Sequence, residues 1–171
     1  MTIGRPGEDE AASVYFTYID KVVGDDPEEA IRAQLDEASA FFSGISDERS
    51  LHRYAPEKWS IRETLNHISD TERAFTFRAL WFARGFDAPL PGYDQNVAVS
   101  GAGADHISWD AHVNEFRHVR LATISFLENL PPEAWMRTGF ANGNPFTVRA
   151  VAFIIAGHVK HHMGILQERY L

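Results

Sequence analysis

The sequence predicts an all-α chain, a four-helix bundle with a long loop between the second and third helices. Three observations lead there. Four segments carry stripes of mainly apolar residues at spacings of three and four. Helix start and stop signals bracket those segments. Residues 85–107, with Pro89, Pro91, Gly92, Gly101 and Gly103, have no helical period and are long enough to cross the bundle.

Residues 1–13 are polar and expected to be flexible. Val14 to Ile19 packs aromatic and β-branched residues together, and is open to a short strand, a helical turn or an extended docking segment. Asp25-Asp26-Pro27-Glu28-Glu29 starts the first helix, with acidic caps, proline in the first turn and carboxylates at the positive end of the dipole. Its stripe is Ile31, Leu35, Ala38, Phe42 and Ile45, and it ends near Gly44. Ser60-Ile61-Arg62-Glu63 has capping-box spacing, preceded by Trp59 as a hydrophobic staple. Ile61, Leu65, Ile68, Glu72, Phe75, Ala79 and Phe82 then carry the second helix to Arg84, where Gly85 stops it. Ser108 opens the third, with Val113, Phe116, Arg120, Ile124, Leu127 and Leu130 inward and Pro131-Pro132 at its end. Thr138 to Pro145, containing Asn142-Gly143-Asn144, is a turn region with room for a small hairpin. Thr147 caps the last helix, whose stripe is Val151, Ile155, His158, His162 and Ile165. The whole chain, residues 1–171, reads as a single domain.

Composition removes several classes of function. The chain has no cysteine, which excludes disulfides, iron–sulfur clusters, cysteine-ligated zinc and a protein thiol nucleophile. A net charge of −8 argues against a nucleic-acid partner. The longest apolar run, Ala150 to Ala156, is too short to span a membrane, and no apolar leader precedes residue 14. A cytoplasmic protein is expected. Val97 to Gly103 mimics the start of a dinucleotide-binding fingerprint, but His106 stands where the third glycine belongs and no parallel-sheet pattern surrounds it. It reads as loop. Neither a phosphate-binding GxxxxGK[ST] nor a GxSxG elbow is present.

The chemistry concentrates on His158 and His162. Four residues apart on a helix, they stack on one face and can chelate one metal ion. They occupy seam positions, so their rings point inward, where an unpartnered imidazole costs about 1–3 kcal/mol. Two independently hydrogen-bonded histidines would also fit that spacing. His67, beside seam residue Ile68, tips the balance toward metal by completing a three-imidazole set with a coordination position open to water or substrate. His161 lies about 100° round the helix from His162 and reads as a supporting or surface residue. His52, His106, His112 and His118 have no chelating spacing and read as surface or loop. Glu63, one turn before His67, could be a base or a ligand, although the capping box already explains it. Glu72 and Arg120 are seam charges on neighbouring helices and suggest a buried structural pair. Tyr93, Asp94 and Gln95 in the long loop are candidates to touch substrate.

Two segments carry a resemblance. Residues 59–72, Trp59-Ser60-Ile61-Arg62-Glu63-Thr64-Leu65-Asn66-His67-Ile68-Ser69-Asp70-Thr71-Glu72, follow a WSxxExxxHxxDxE pattern, and residues 157–162 read Gly157-His158-Val159-Lys160-His161-His162. In that order and spacing the sequence resembles the DinB-like superfamily, also described as YfiT-like metalloenzymes. Residues 15–19, 78–85 and 89–95 extend the likeness over nearly the whole chain. The resemblance implies a four-helix bundle, usually a homodimer, with one divalent metal, zinc or nickel, on three histidines that map onto His67, His158 and His162. It also implies a small-molecule substrate and a low-molecular-weight thiol as partner, since thiol-dependent S-transferases and a mycothiol-dependent isomerase are among the relatives. Many members end the second motif with GQ, whereas here Ile165 follows Gly164, which leaves no role for that glutamine. A metal-dependent transferase or hydrolase is the expected activity; a non-catalytic metal-binding dimeric bundle is the alternative. A cleft lined by residues 85–107 would favour the first, and a sealed site or a fourth protein ligand would count against it.

Overall fold

A computed structural model describes residues 3–171. Four long helices form the body: α2 (Pro27–Ser43), α4 (Ile61–Ala83), α6 (Trp109–Glu128) and α7 (Val148–Arg169). α2 and α4 each pack against both α6 and α7, which places them at opposite corners of the bundle. Short helices α1 (Phe16–Ile19), α3 (Asp47–Ser50) and α5 (Gln95–Ala102) fill the connections. The chain is mostly helical but not purely so. Strands β1 (Thr138–Ala141) and β2 (Asn144–Thr147) form an antiparallel hairpin with Ala141 opposite Asn144. Its two-residue turn needs positive φ at both positions, which Asn142 (52°) and Gly143 (72°) supply.

The start signals act as the sequence predicts. Asp26 accepts from the backbone N–H groups of Glu28 and Glu29, and Ser60 and Glu63 complete a reciprocal capping box. Thr147 accepts from Ala150 N at 3.1 Å. At Ser108 no side-chain cap forms; Asp47 accepts from Trp109 N instead, at 3.0 Å. α6 ends at Glu128, and Pro132–Met136 forms a 3-10 turn rather than a helix stop.

Three expectations need correction. The flexible start is one: residues 1–2 lie outside the described residues, but the remainder of 1–13 is anchored. Arg5 donates to the carbonyls of Ile19, Val22 and Gly24 at 2.8–2.9 Å, and Glu10 accepts from Arg149 Nε and Thr147 Oγ1, each at 2.7 Å. Those partners stand up to 139 residues away, so local polarity could not reveal them. Second, the long loop is partly helical. α5 is capped by Asp94 and closed by Gly103 at φ 61°, so of the false fingerprint's glycines Gly101 lies inside a helix and Gly103 ends it. Third, His112 is not on the surface; it is 1% exposed and bonds Ala104 O through Nε2 at 2.9 Å. Val14 to Ile19 resolves into a 3-10 turn and α1.

The amino-terminal half of α7 is buried on every side, from Ala150 to Val159, because α1, α2, α4 and the hairpin all lean on it. Gly157 permits this. A Cβ there would lie 2.0 Å from the Tyr18 carbonyl oxygen, so only glycine lets α1 sit directly on α7. The core divides into two apolar clusters. One holds Phe75, Ile124 and Ile155; the other holds Leu65, Phe116 and Val159. Between them runs a polar layer. Arg120, fully buried, donates to Glu72 Oε2 at 2.8 and 3.2 Å and to Gln34 Oε1 at 2.8 Å, and Gln34 donates to Ala156 O at 3.0 Å. The expected Glu72–Arg120 pair therefore exists, and it ties four helices together.

Candidate metal centre

The polar layer ends in three imidazoles. α4 supplies His67, and α7 supplies His158 and His162 one turn apart. His67 and His158 are 2% and 5% exposed, and His162 is half-buried. His158 Nε2 lies 3.1 Å from Nε2 of His67 and 3.1 Å from Nε2 of His162. The three ligand atoms all fall within 4.8 Å of one another. A neutral imidazole has one N–H and one lone pair, so hydrogen bonds satisfy this convergence poorly: His158 Nε2 cannot serve both neighbours. Three lone pairs aimed at one cation satisfy it fully. Nitrogens tetrahedrally placed about 2.0–2.1 Å from zinc would stand about 3.3 Å apart, close to the spacing present.

Protonation favours the same use. Burial drives the His67 pKa down to about 4. Burial, then the charges His67 and His161 would carry, lowers His162 to about 3. His158 is pushed well below its usual value by burial first and then by His162, His67, His161 and Arg120. All three are neutral at pH 7, the form that coordinates metal. Thr71, one turn after His67, places its hydroxyl 3.3 Å from His67 Nδ1, where accepting that N–H leaves the Nε2 lone pair directed at the centre.

Aromatic rings fix the imidazoles from behind. Tyr18 packs edge-on against His158 and His161, at 5.3 and 5.2 Å between centroids, and Trp59 lies 4.9 Å from His67. His161 is thus a half-buried support and not one of the converging group. Glu63 belongs to the cap: it accepts from Ser60 N at 2.8 Å and pairs with Arg53 at 2.5 Å. Among the described residues no fourth histidine or carboxylate joins the three.

The centre opens on two sides. A cavity of 130 Å³ exposes His67 and His158, with Tyr15, Tyr18, Thr71, Arg78 and Asn142 around it and Tyr93 and Gln95 at its rim. A second depression of 320 Å³ exposes His162 beside Trp59, Tyr54, Tyr170 and Asn96. Of the loop residues expected to meet substrate, Tyr93 and Gln95 line the first opening and Asp94 instead caps α5. Leu90 holds this segment in place: its N–H donates to Phe140 O at 2.9 Å, and its carbonyl accepts from Asn142 N at 3.1 Å. Sequence reasoning missed Tyr15, Tyr18, Arg78 and Asn142. Arg78 alone left a signal, since 67, 71, 74 and 78 share one face of α4.

The DinB superfamily sequence model matches residues 30–166. The chain belongs to the DinB superfamily. Solved structures of this superfamily's type share its fold at low sequence identity. YfiT from Bacillus subtilis, described as a probable metal-dependent hydrolase with an unusual four-helix bundle topology, is 15% identical with a TM-score of 0.67, covering 95% of this chain and 89% of its own. A mycothiol-dependent maleylpyruvate isomerase is 14% identical with a TM-score of 0.69 over 81% of this chain, which spans 58% of the isomerase. A search of curated protein sequences finds no match. No helix among the described residues of this DinB-superfamily protein is long and apolar enough to cross a membrane.

Proposed function

We propose that His67, His158 and His162 hold one divalent ion, zinc or nickel, in a cytoplasmic enzyme of thiol-dependent S-transferase or hydrolase type. The observation that carries this is the convergence of three neutral Nε2 atoms with two openings beside them. A divalent ion there would supply Lewis acidity, drawing the pKa of water or a low-molecular-weight thiol toward neutrality. The protein's own contribution is positional. Thr71 fixes the His67 tautomer, Tyr18 and Trp59 hold the rings, and Tyr93 and Gln95 border the approach. The open cleft, which Tyr93 and Gln95 of the 85–107 segment border, and the lack of a fourth protein ligand among the described residues support catalysis over a sealed structural centre. The mycothiol-dependent relative supports a small thiol cosubstrate, which the absence of cysteine makes necessary for any thiol chemistry.

Metal analysis by inductively coupled plasma mass spectrometry on untagged protein, beside a His158→Ala/His162→Ala variant, tests the centre. One ion per chain in the parent and none in the folded variant is expected; no uptake of zinc or nickel by either would overturn it. An apolar groove between α4 and α6, with Phe77, Leu80, Val119 and Phe126, supports a homodimer and equally the non-catalytic dimeric alternative. Light scattering settles the oligomer. A thiol-transfer and ester-hydrolysis screen of the metal-loaded protein separates the two readings.

A further inference from the structure

Three arginines of this chain are at least nine-tenths buried, and two of them are fully provided for. Arg62, 5% exposed, donates to Ser50 Oγ and to the carbonyls of Asp47, Asp105 and Ile107, and pairs with the Asp47 carboxylate at 2.7 Å. Arg120 has Glu72, Gln34 and Ile31 O. Arg78, 6% exposed, has neither a hydrogen bond nor a carboxylate among the described residues; its only marked contact is the Phe75 ring, 5.0 Å away. The side chain is buried as a whole, yet its nitrogens are not among the sealed, unpartnered atoms, so the guanidinium faces open space. Its surroundings explain its position.

Arg78 lies three turns after His67 on the same face of α4 and lines the cavity that exposes His67 and His158. Helix side chains tilt toward the amino terminus, so it reaches back along the wall toward the histidines. The other lining groups, Tyr15, Tyr18, Thr71, Tyr93, Gln95 and Asn142 among them, are neutral hydrogen-bonding or aromatic side chains; none is an acid. The cavity therefore holds one uncompensated cation in a chain of net charge −8.

We propose that this cavity is a carboxylate subsite: Arg78 takes the carboxylate of a small organic acid whose remaining atoms extend toward His67 and His158. The planar fork matches a carboxylate two bonds at a time. In the metal-free protein, with His67 and His158 neutral, Arg78 is the single charged group of the lining, which suits a monoanionic group better than a phosphate dianion. At 130 Å³ the space beside Arg78 matches a small acid. The subsite deepens the metalloenzyme reading by giving its substrate class, and rests on that reading for turnover but not for binding.

The test is calorimetric titration of succinate, neutral succinamide and inorganic phosphate into chelator-treated, metal-free protein. Saturable binding of succinate, with succinamide and phosphate weaker, is expected. Arg78→Gln should weaken succinate about tenfold or more, and Arg78→Lys should recover only part of the loss because it keeps the charge without the fork. The His158→Ala/His162→Ala variant should still bind succinate. Overturning results are metal-free parent that ignores succinate, phosphate preferred over succinate, Arg78→Gln binding as the parent does, or binding lost in the histidine variant but kept in Arg78→Gln. Circular dichroism melts show whether Arg78→Gln folds; if it does not, Arg78→Lys and the succinate–succinamide contrast decide. Failure of metal uptake alone leaves the metal-free titration standing, so the two readings fail separately.

Discussion

Replacing Gly157 with alanine sets two effects of opposite sign against each other. On helix propensity alone, Gly→Ala inside α7 should stabilise by about 1 kcal/mol. The new Cβ, however, would stand 2.0 Å from Tyr18 O and 2.5 Å from Tyr18 C, where ordinary contact begins at 3.4 Å. The opposing group is backbone, so no rotamer change relieves it, and α1 must retreat by about 1.4 Å (3.4 minus 2.0). Overpacking of this kind costs about 1–3 kcal/mol, and more where backbone must move, so a net loss of about 1–2 kcal/mol is expected. For a chain of this length that lowers Tm by about 2–8 °C. Gly164, on the same helix with nothing within 4 Å of an added Cβ, is the control: Gly164→Ala should raise Tm by about 2–4 °C. Because Tyr18 backs His158, Gly157→Ala should also weaken zinc binding, read by competition with a chromophoric chelator. A Gly157→Ala protein melting at or above the parent temperature would refute the close-approach reasoning.

Metal-free protein should lose stability as pH falls below about 6.5, because the unfolded histidines then bind protons that folded His67 and His162 refuse until about 4 and 3. Each such group removes about 1.4 kcal/mol per pH unit across that window, and urea melts at pH 7.5 and 5.5 measure it. Glu10 works in the opposite range: partial burial raises its pKa, but Arg149, Gly7 N and Thr147 outweigh that and hold it at about 2. Its stabilisation is complete above 4.5 and disappears as pH falls toward 2, so Glu10→Gln should flatten the acid limb of the melt. Arg120→Met strands the Glu72 carboxylate and should cost about 3–5 kcal/mol in urea denaturation, with Arg120→Met/Glu72→Met recovering most of it. Thr71→Val should weaken zinc about tenfold in chelator competition while the metal-free melt changes little.

The helices were legible because their signals are local. Ser60 with Glu63, Asp26 before Pro27, and a four–three apolar rhythm all act within a few residues, and each appears where the spacing placed it. The His158–His162 pair was legible for the same reason, being one turn of one helix. What stayed hidden is long-range. Arg5 and Glu10 anchor the amino terminus through partners near residues 19–24 and 147–149, and their own neighbourhood is merely polar. α5 was masked by Gly101 and Gly103, one of them an interior helix residue and the other its left-handed cap. Asn142 reaches the cavity only because an Asn-Gly turn is clamped to Leu90, a pairing no spacing rule contains.

The polar layer shows why the three converging histidines can stay neutral. Phe116 and Val159 belong to one apolar cluster and Ile124 and Ile155 to the other, so each helix changes cluster as it crosses the layer. A lone Glu72 carboxylate at that level would draw protons onto nearby imidazoles and favour imidazolium, which cannot coordinate metal. Arg120 removes that pull by taking Glu72 Oε2 with two N–H groups, and its remaining positive charge adds to the forces lowering the His158 pKa. The pair thus does more than join helices. It sets the electrostatic sign of the layer, and Arg120→Met, by freeing the carboxylate, should raise the pKa of His158 as well as lower stability. Proton-detected NMR titration of metal-free protein resolves the two: a stability loss with unmoved imidazole shifts would reduce the pair to a structural tie.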